Sequence, residues 1–512
     1  MSKRNSLAIA SRVEKRTKLI PPDGGWGWMV IAGTALTNIF NQSMLSLFSL
    51  LYGDALEAMG HKTKGAAVVL STMLFVTNFG GPIAGVIVKL TSTRFVAVLG
   101  ACSCTLGIFL SGFSTNIWHL VITYGILLGL GLGFIQNSSF VAINSYFKLK
   151  KGRAVGLANV GTGVGQTLMP HVVRYLLENY GFRGACILLG SLSLHGIGGT
   201  LLLQPVEWHM KKVEEDVVID EKIHLLEDKH KSIVIDKDHK INGKPIYKNG
   251  SGILSNVNNG KELNTNYNTN FQENPKSTQD LNGEKIENEV KQNKNFFRKI
   301  YELFDMSLLL SPRFINIIIG TALTVTSIQN FSLIYPFFLQ KAASLDKQQT
   351  ANCMSAVAFA DIVGRLTLPA FQDKYKIKAR MMLIMTSIWL IIVRQVMAYQ
   401  SDLKVLIVMS CLYGFGRSMV IVARNIAISE NCKMEQVPAA VGLGMLSMGI
   451  IVPPAGYFLG WIRDYTESYI ACISAQNILL VIFLIMWVPD MILIWMQEKR
   501  TKQKSIDEVE LS

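Results

Sequence analysis

The sequence predicts an all-α, polytopic membrane protein with twelve transmembrane helices in two six-helix bundles, on three observations. The first is composition. Of 512 residues, 50% are hydrophobic and 17% charged, and the mean hydropathy of +0.31 is high for a water-soluble chain. The second is the recurrence of long apolar runs, at 30–51, 65–88, 95–113, 120–141, 186–203, 315–339, 381–398, 403–422, 439–461 and 470–495. Two weaker runs, 152–177 and 352–371, carry more small or polar residues. About 20 residues cross a hydrocarbon core. In lipid the backbone must satisfy its own polar groups, which a helix does within one segment. The third observation is the polar stretch 205–305, which splits the runs six and six. That layout implies two bundles facing each other, with a substrate site near the bilayer midplane between them.

The elements follow in order. Residues 1–22 form a basic tail, 23–204 the first bundle, 205–305 a central loop, 306–496 the second bundle and 497–512 a second tail. A net charge of +14 suggests nucleic acid, but its placement argues for topology and against such a partner. Basic residues crowd 3–18, 148–153, 374–380 and 499–504, all on one side if the helices alternate. The opposite loops 114–119 and 401–404 are short and carry little basic charge. The positive-inside rule then makes both termini and the central loop cytoplasmic, in a multi-pass protein of the plasma membrane. The polar, basic start shows no cleavable signal, so the first span is expected to be retained.

Within the loop, 240–294 is rich in Asn, Lys and Gly and is expected to be disordered, because it cannot bury enough apolar surface to offset its ordering entropy. The flanks 207–229 and 295–304 are expected to form short cytoplasmic helices. Asn249-Gly250-Ser251 is a glycosylation acceptor on the wrong side to be used. The seven cysteines lie in or beside spans without metal spacing and read as reduced packing residues.

The most informative residues are Asp361 and Arg365, four apart in an otherwise mostly apolar span. That spacing returns to one helix face about 6 Å further on. Charge inside a bilayer is expensive and faces a wet cavity or another helix. The functional reading is an ion or substrate site; the plainer one is a pair clamping two helices.

The first span opens with Pro21-Pro22-Asp23-Gly24-Gly25-Trp26-Gly27-Trp28, in which Asp23 suits a helix cap and the tryptophans suit the headgroup level. The string resembles the signature of the monocarboxylate transporter family of the major facilitator superfamily. The run from Tyr146 to Ala158, Tyr-Phe-Lys-Leu-Lys-Lys-Gly-Arg-Ala-Val-Gly-Leu-Ala, is similar to that family's second signature, entering the fifth helix. Phe359 to Arg365 resembles its charged motif on the eighth helix, and Pro453-Pro454-Ala455-Gly456 with Asp464 the end of its eleventh.

The resemblance covers about 23–495 and implies transport of small monocarboxylates or related organic anions by alternating access. It implies proton handling by Asp361 and carboxylate binding by Arg365. It also implies that some members need a single-span glycoprotein chaperone. Two positions depart from the pattern. Ser46 stands where the proton-coupled lactate carriers place a first-helix Lys, and Leu366 replaces the Pro after the Arg. Lactate–proton symport therefore does not simply carry over. A proton-independent facilitator of amino acids or other small polar solutes is the alternative. A third reading is a sensor or scaffold without flux, which predicts that deleting the loop abolishes function while Arg365→Ala does not.

Other residues are candidates on their own pattern. Thr34, Asn38, Gln42 and Ser46 recur every four residues and predict one polar stripe, either a cavity wall or interhelical glue. Arg417 and Arg424 are seven apart on the tenth helix. Arg417 is deep enough to grip a carboxylate with its fork; Arg424 is near enough to the helix end to snorkel outward. Arg394 sits in the ninth span. On the seventh helix Tyr335, with Phe331, Phe337 and Phe338, suits either the substrate path or an aromatic belt. Gly125, Gly129 and Gly133, like Gly161, Gly163 and Gly165, predict close helix contacts. No strand precedes the second set, which speaks against a nucleotide loop. No nucleophile–base constellation or metal-ligand cluster appears, so neither an enzyme nor a cofactor is expected.

Overall fold

In the computed structural model, residues 12–60, 63–219 and 301–510 are described. The disorder expected for 240–294, the acceptor at Asn249, and the helix expected at 295–304 before Tyr301 lie outside them.

The first span is α1, Gly27–Phe40, continued by a 3₁₀ turn, Gln42–Ser46, and α2, Phe48–Ala58. There follow α3 (Thr63–Leu90), α4 (Thr93–Ser111), α5 (Ile117–Leu120), a π-helical stretch Val121–Leu128, α6 (Gly129–Tyr146) and α7 (Lys151–Leu201). The second bundle comprises α8 (Pro312–Lys341), α9 (Lys347–Tyr375), α10 (Ala379–Met397), α11 (Leu403–Ser429), α12 (Val437–Thr466) and α13 (Tyr469–Glu510). Among the described residues, ten runs are long and apolar enough to cross a membrane. One of them, α7, is two spans joined at Gly181, whose φ of 63° only glycine adopts at little cost. The broken first span brings the number to the twelve expected. Large apolar side chains such as Leu106, Ile122 and Ile485 stay exposed on the outer surface, as lipid allows and water does not.

Local chemistry sets the boundaries. Ser92 accepts the Phe95 amide at the start of α4, and Ser311 accepts the Phe314 amide where Pro312 opens α8. Asp346 and Gln349 close a capping box on α9. Asp23 does not cap the first helix as expected. Its Oδ1 instead accepts the amides of Lys148 (2.7 Å) and Leu149 (2.8 Å), while its own amide donates to the Tyr146 carbonyl. A cap must sit beside the first turn it serves, and Asp23 stands three residues before the N-cap Trp26. The two long signatures are thus joined to one another.

Lipid supplies no hydrophobic drive between helices, so close backbone approach at small residues does the packing. A Cβ on Gly161 of α7 would be driven into the Ala35 carbonyl of α1, and one on Gly133 of α6 into the Thr77 carbonyl of α3. Gly163 instead abuts Ile362 of α9, across the two bundles. The glycine spacings are therefore helix contacts, as the sequence predicts. Gly161→Val should cost about 1–3 kcal/mol or more by overpacking, read as a lower melting temperature of the purified protein in detergent.

A separate unit contains an antiparallel pair, β1 (Arg12–Ile20) with β2 (Lys211–Ile219), in the register Arg12↔Ile219 to Ile20↔Lys211. This corrects the helix expected over 207–229, of which 220–229 lie outside the described residues. The run Val213, Val217, Val218 and Ile219 is β-branched. Moreover, the register sets basic Lys15 and Arg16 opposite acidic Asp216 and Glu215. Sequence reading of one segment alone misses a partner strand 191 positions away.

Candidate functional site

Hydrogen bonds crossing between the bundles gather toward the end that carries the start of α1 and the end of α13, here the terminal end. Asp373 of α9 accepts the amides of Gly152 (3.1 Å) and Arg153 (2.8 Å), the first residues of α7. Lys151 donates to Ser429 (3.4 Å), Asn137 to the Pro438 carbonyl (3.1 Å), and Lys89 pairs with Asp305. Between the bundles lies a cavity of about 990 Å³, whose lining runs from Arg424 to Leu70, Ser71 and Thr72 in the half of α3 nearer the opposite, far end; with the terminal end tied by these contacts, the far end is its way out.

Arg365, Arg417 and Arg424 all line this cavity, and among its described lining residues there is no carboxylate. Arg365 is 3% exposed. Its Nη2 lies 2.6 Å from Asp361 Oδ2, and its Nη1 donates to the Asn159 carbonyl of the other bundle at 2.5 Å. Asp361 stands behind it, 3% exposed, and does not line the cavity; its Oδ1 has no partner. Position and pairing both follow from the i, i+4 spacing of α9. The Nε groups of all three arginines are buried and lack a protein partner.

The polar stripe holds for Thr34, Asn38 and Gln42, which line the cavity. Asn38 donates to the Ala158 carbonyl (3.0 Å), while Thr34 Oγ1 and Gln42 Oε1 have no partner. From Gln42 to Ser46 the helix tightens to 3₁₀, with about three residues per turn, so a four-residue spacing no longer marks one face at Ser46. The side chain of Ser46 lies outside the described ones.

Tyr335 does not line the cavity. Its hydroxyl lies 2.5 Å from Ser410 Oγ and its ring stacks on Phe331 at 5.4 Å. The face it shares with Phe331, four residues back, turns to Tyr413 of α11; Gln329, Ser332 and Leu333 meet the cavity instead. Arg394 belongs to that inner cluster, 0% exposed, over the Phe331 ring (4.6 Å) and bonded to Ser327 (2.7 Å). Arg424 corrects the snorkelling expectation. It turns to Met448 of α12 (Nη1 to Sδ 3.6 Å) and into the cavity, where the closed terminal end bars the way out.

Sequence reading missed Gln136, Asn159, Gln166, Asn330 and Asn425, all lining the cavity. Gln136, Asn330 and Asn425 are single amides in separate spans and leave no spacing signal, whereas Asn159 and Gln166, seven apart in the first half of α7, share a face and carried one.

A family model described as Major Facilitator Superfamily matches residues 31–248 and 317–511. The chain belongs to the major facilitator superfamily. Its superfamily fold is echoed by the solved structure of the proton:xylose symporter XylE bound to 6-bromo-6-deoxy-D-glucose, with a TM-score of 0.58 at 12% identity over 90% of this chain and 95% of that one.

The resemblance to monocarboxylate transporters also holds. Monocarboxylate transporter 12-B of Danio rerio is 23% identical over 90% of this chain and 85% of its own length. Monocarboxylate transporter 2 of Mus musculus is 32% identical over 36% and 39%, and monocarboxylate transporter 12 of Homo sapiens 29% over 44% and 42%. The last two matches thus span about two-fifths of those relatives. The protein is a superfamily transporter set in a lipid bilayer, and not an enzyme.

Proposed function

We propose that the protein carries small organic anions, monocarboxylates or related acids, across the plasma membrane by alternating access. The observation that carries this is the central cavity lined by three arginines and no carboxylate among its described residues. Arg365 and Arg417 bind the carboxylate: Arg417 with an unengaged fork, which meets two carboxylate oxygens with parallel hydrogen bonds, and Arg365 by its charge and, once Asp361 releases it, by its own Nη donor. Asn38 and Gln42 complete a neutral wall. With both termini cytoplasmic, the cavity faces outward. Some relatives' need for a glycoprotein chaperone is compatible with this reading, and co-expression tests it.

The charge pattern favours an anion over an amino acid, whose ammonium group would ask for a cavity-lining acid. Proton coupling would run through Asp361, the acid paired with a cavity arginine among the described residues, by protonation that frees Arg365. A proton-independent facilitator is the second reading, favoured by the placement of Asp361 behind the lining and by Ser46 in the first span. The experiment is uptake of labelled monocarboxylates by purified protein in liposomes, with and without an inward proton gradient. Gradient-driven uptake that Asp361→Asn makes indifferent to the gradient supports symport; uptake indifferent to the gradient from the start supports the facilitator.

A further inference from the structure

Resting on the organic-anion reading, we infer that the cavity holds two carboxylate positions and that its preferred substrate is a short aliphatic dicarboxylate. The charges lead there first. Three guanidinium groups line the cavity, and Asp361 offsets only one of them, through Arg365. Two positive charges remain without a protein partner of opposite sign among the described lining residues. While the cavity is wet, water solvates them. Alternating access requires an occluded stage in which that water is largely gone, and an unmatched charge is then costly. A monoanion matches one of the two charges, and a dianion matches both.

The geometry fits the same ligand. Gly364 packs against Phe415 and Ser418, which brings its neighbour Arg365 level with Arg417. Arg424 lies seven residues on, about 10 Å further along the same side of α11. Val420 and Ile421, between the two arginines in sequence, also line the cavity, as do Met448 and Val452 of α12. Arg417 at one end, the apolar Val420 and Ile421, and Arg424 at the other correspond to carboxylate, methylene chain and carboxylate, with Arg365 on α9 within electrostatic reach of both arginines. The Nε groups of Arg417 and Arg424 are buried, so contact with a ligand oxygen at each end falls to the Nη groups, and Arg417, which lines the cavity, makes no protein hydrogen bond among the described residues. Arg424 otherwise has only the weak Met448 sulfur acceptor.

The test uses the full chain in liposomes at neutral pH, with labelled succinate, glutarate and adipate beside their monomethyl esters. Each ester keeps the chain and one carboxylate but removes the second charge. A charge-assisted contact present only for the diacid predicts a diacid-to-ester ratio of about 10- to 100-fold in kcat/KM for the best chain length. Arg424→Gln should bring that ratio toward one, and Arg424→Lys, which keeps the charge without the fork, should hold it between. Should Arg424→Gln fail to fold, the Lys variant and the thermal stabilisation of the unmodified protein by diacid against ester give the same comparison. Equal uptake of diacid and ester, or a ratio unmoved by either variant, overturns the second carboxylate position and leaves anion transport standing. No uptake of diacid, ester or a simple monocarboxylate overturns the organic-anion reading itself.

Discussion

Arg365→Ala should abolish uptake, and Arg365→Lys should restore little of it. The guanidinium does three things at once. Nη2 pairs with Asp361 at 2.6 Å, Nη1 holds the Asn159 carbonyl of the opposite bundle at 2.5 Å, and the side chain brings its charge to the cavity wall, with Nε buried and unpartnered. An ammonium is a point charge on a flexible stem and cannot serve three fixed directions. Truncation also strands the Asp361 carboxylate, 3% exposed, at a cost of about 3–5 kcal/mol. Loss of fold and loss of binding would then look alike. The double variant Asp361→Asn/Arg365→Gln separates them, since removing both charges of a buried pair is often nearly neutral for stability. It should recover the melting temperature in detergent while uptake in liposomes stays below about one hundredth of the unmodified rate, the loss of two charge-assisted contacts. Uptake that survives in the double variant would make Arg365 a clamp between bundles and move the carboxylate to Arg417 and Arg424.

Periodicity and charge made most of this architecture legible beforehand. Apolar runs mark spans because the bilayer enforces both length and helical hydrogen bonding, and the Asp361–Arg365 pair follows directly from i, i+4 geometry on α9. Contacts between distant segments were not legible. The string around Asp23 is visible as a motif, yet that its carboxylate holds the Lys148 and Leu149 amides depends on how the first and fifth spans meet. The β1–β2 pair joins a tail to the loop after the sixth span, and strand pairing has no local signature strong enough to name its partner. Tyr335 and Arg424 were misplaced for a shared reason. Helical spacing says which residues share a face, but only the neighbouring helices decide what that face meets, a packed cluster for Tyr335 and the cavity for Arg424.

Asp373→Asn should shift the protein from the conformation open at the far end toward one open at the terminal end. The Asp373 carboxylate reaches from α9 to the first turn of α7, accepting the amides of Gly152 and Arg153. Free amides and the positive end of the helix dipole both favour an anion there. Asp23 makes a similar pair of contacts with Lys148 and Leu149, but inside one bundle, so it persists when the bundles rock. The Asp373 contacts cross between bundles and have to break when the terminal end opens. Asparagine keeps one acceptor and loses the charge, removing about 1.5–3 kcal/mol that favours the closed terminal end, a shift of about 10- to 100-fold between the two states. Gly152→Ala should act in the same direction, since its Cβ would stand 2.7 Å from Asp373 Oδ1. Asp23→Asn should lower thermal stability and leave the distribution where it is. Cysteines introduced singly at Ser332, on the cavity wall, and at Ser429, buried at the terminal end, report the shift by maleimide labelling above the native thiols. Labelling at Ser332 should fall in Asp373→Asn while labelling at Ser429 rises. If neither moves, the terminal end is held shut by other contacts, those of Asn137 with Pro438 and Lys89 with Asp305, and the Asp373 carboxylate only caps the start of α7.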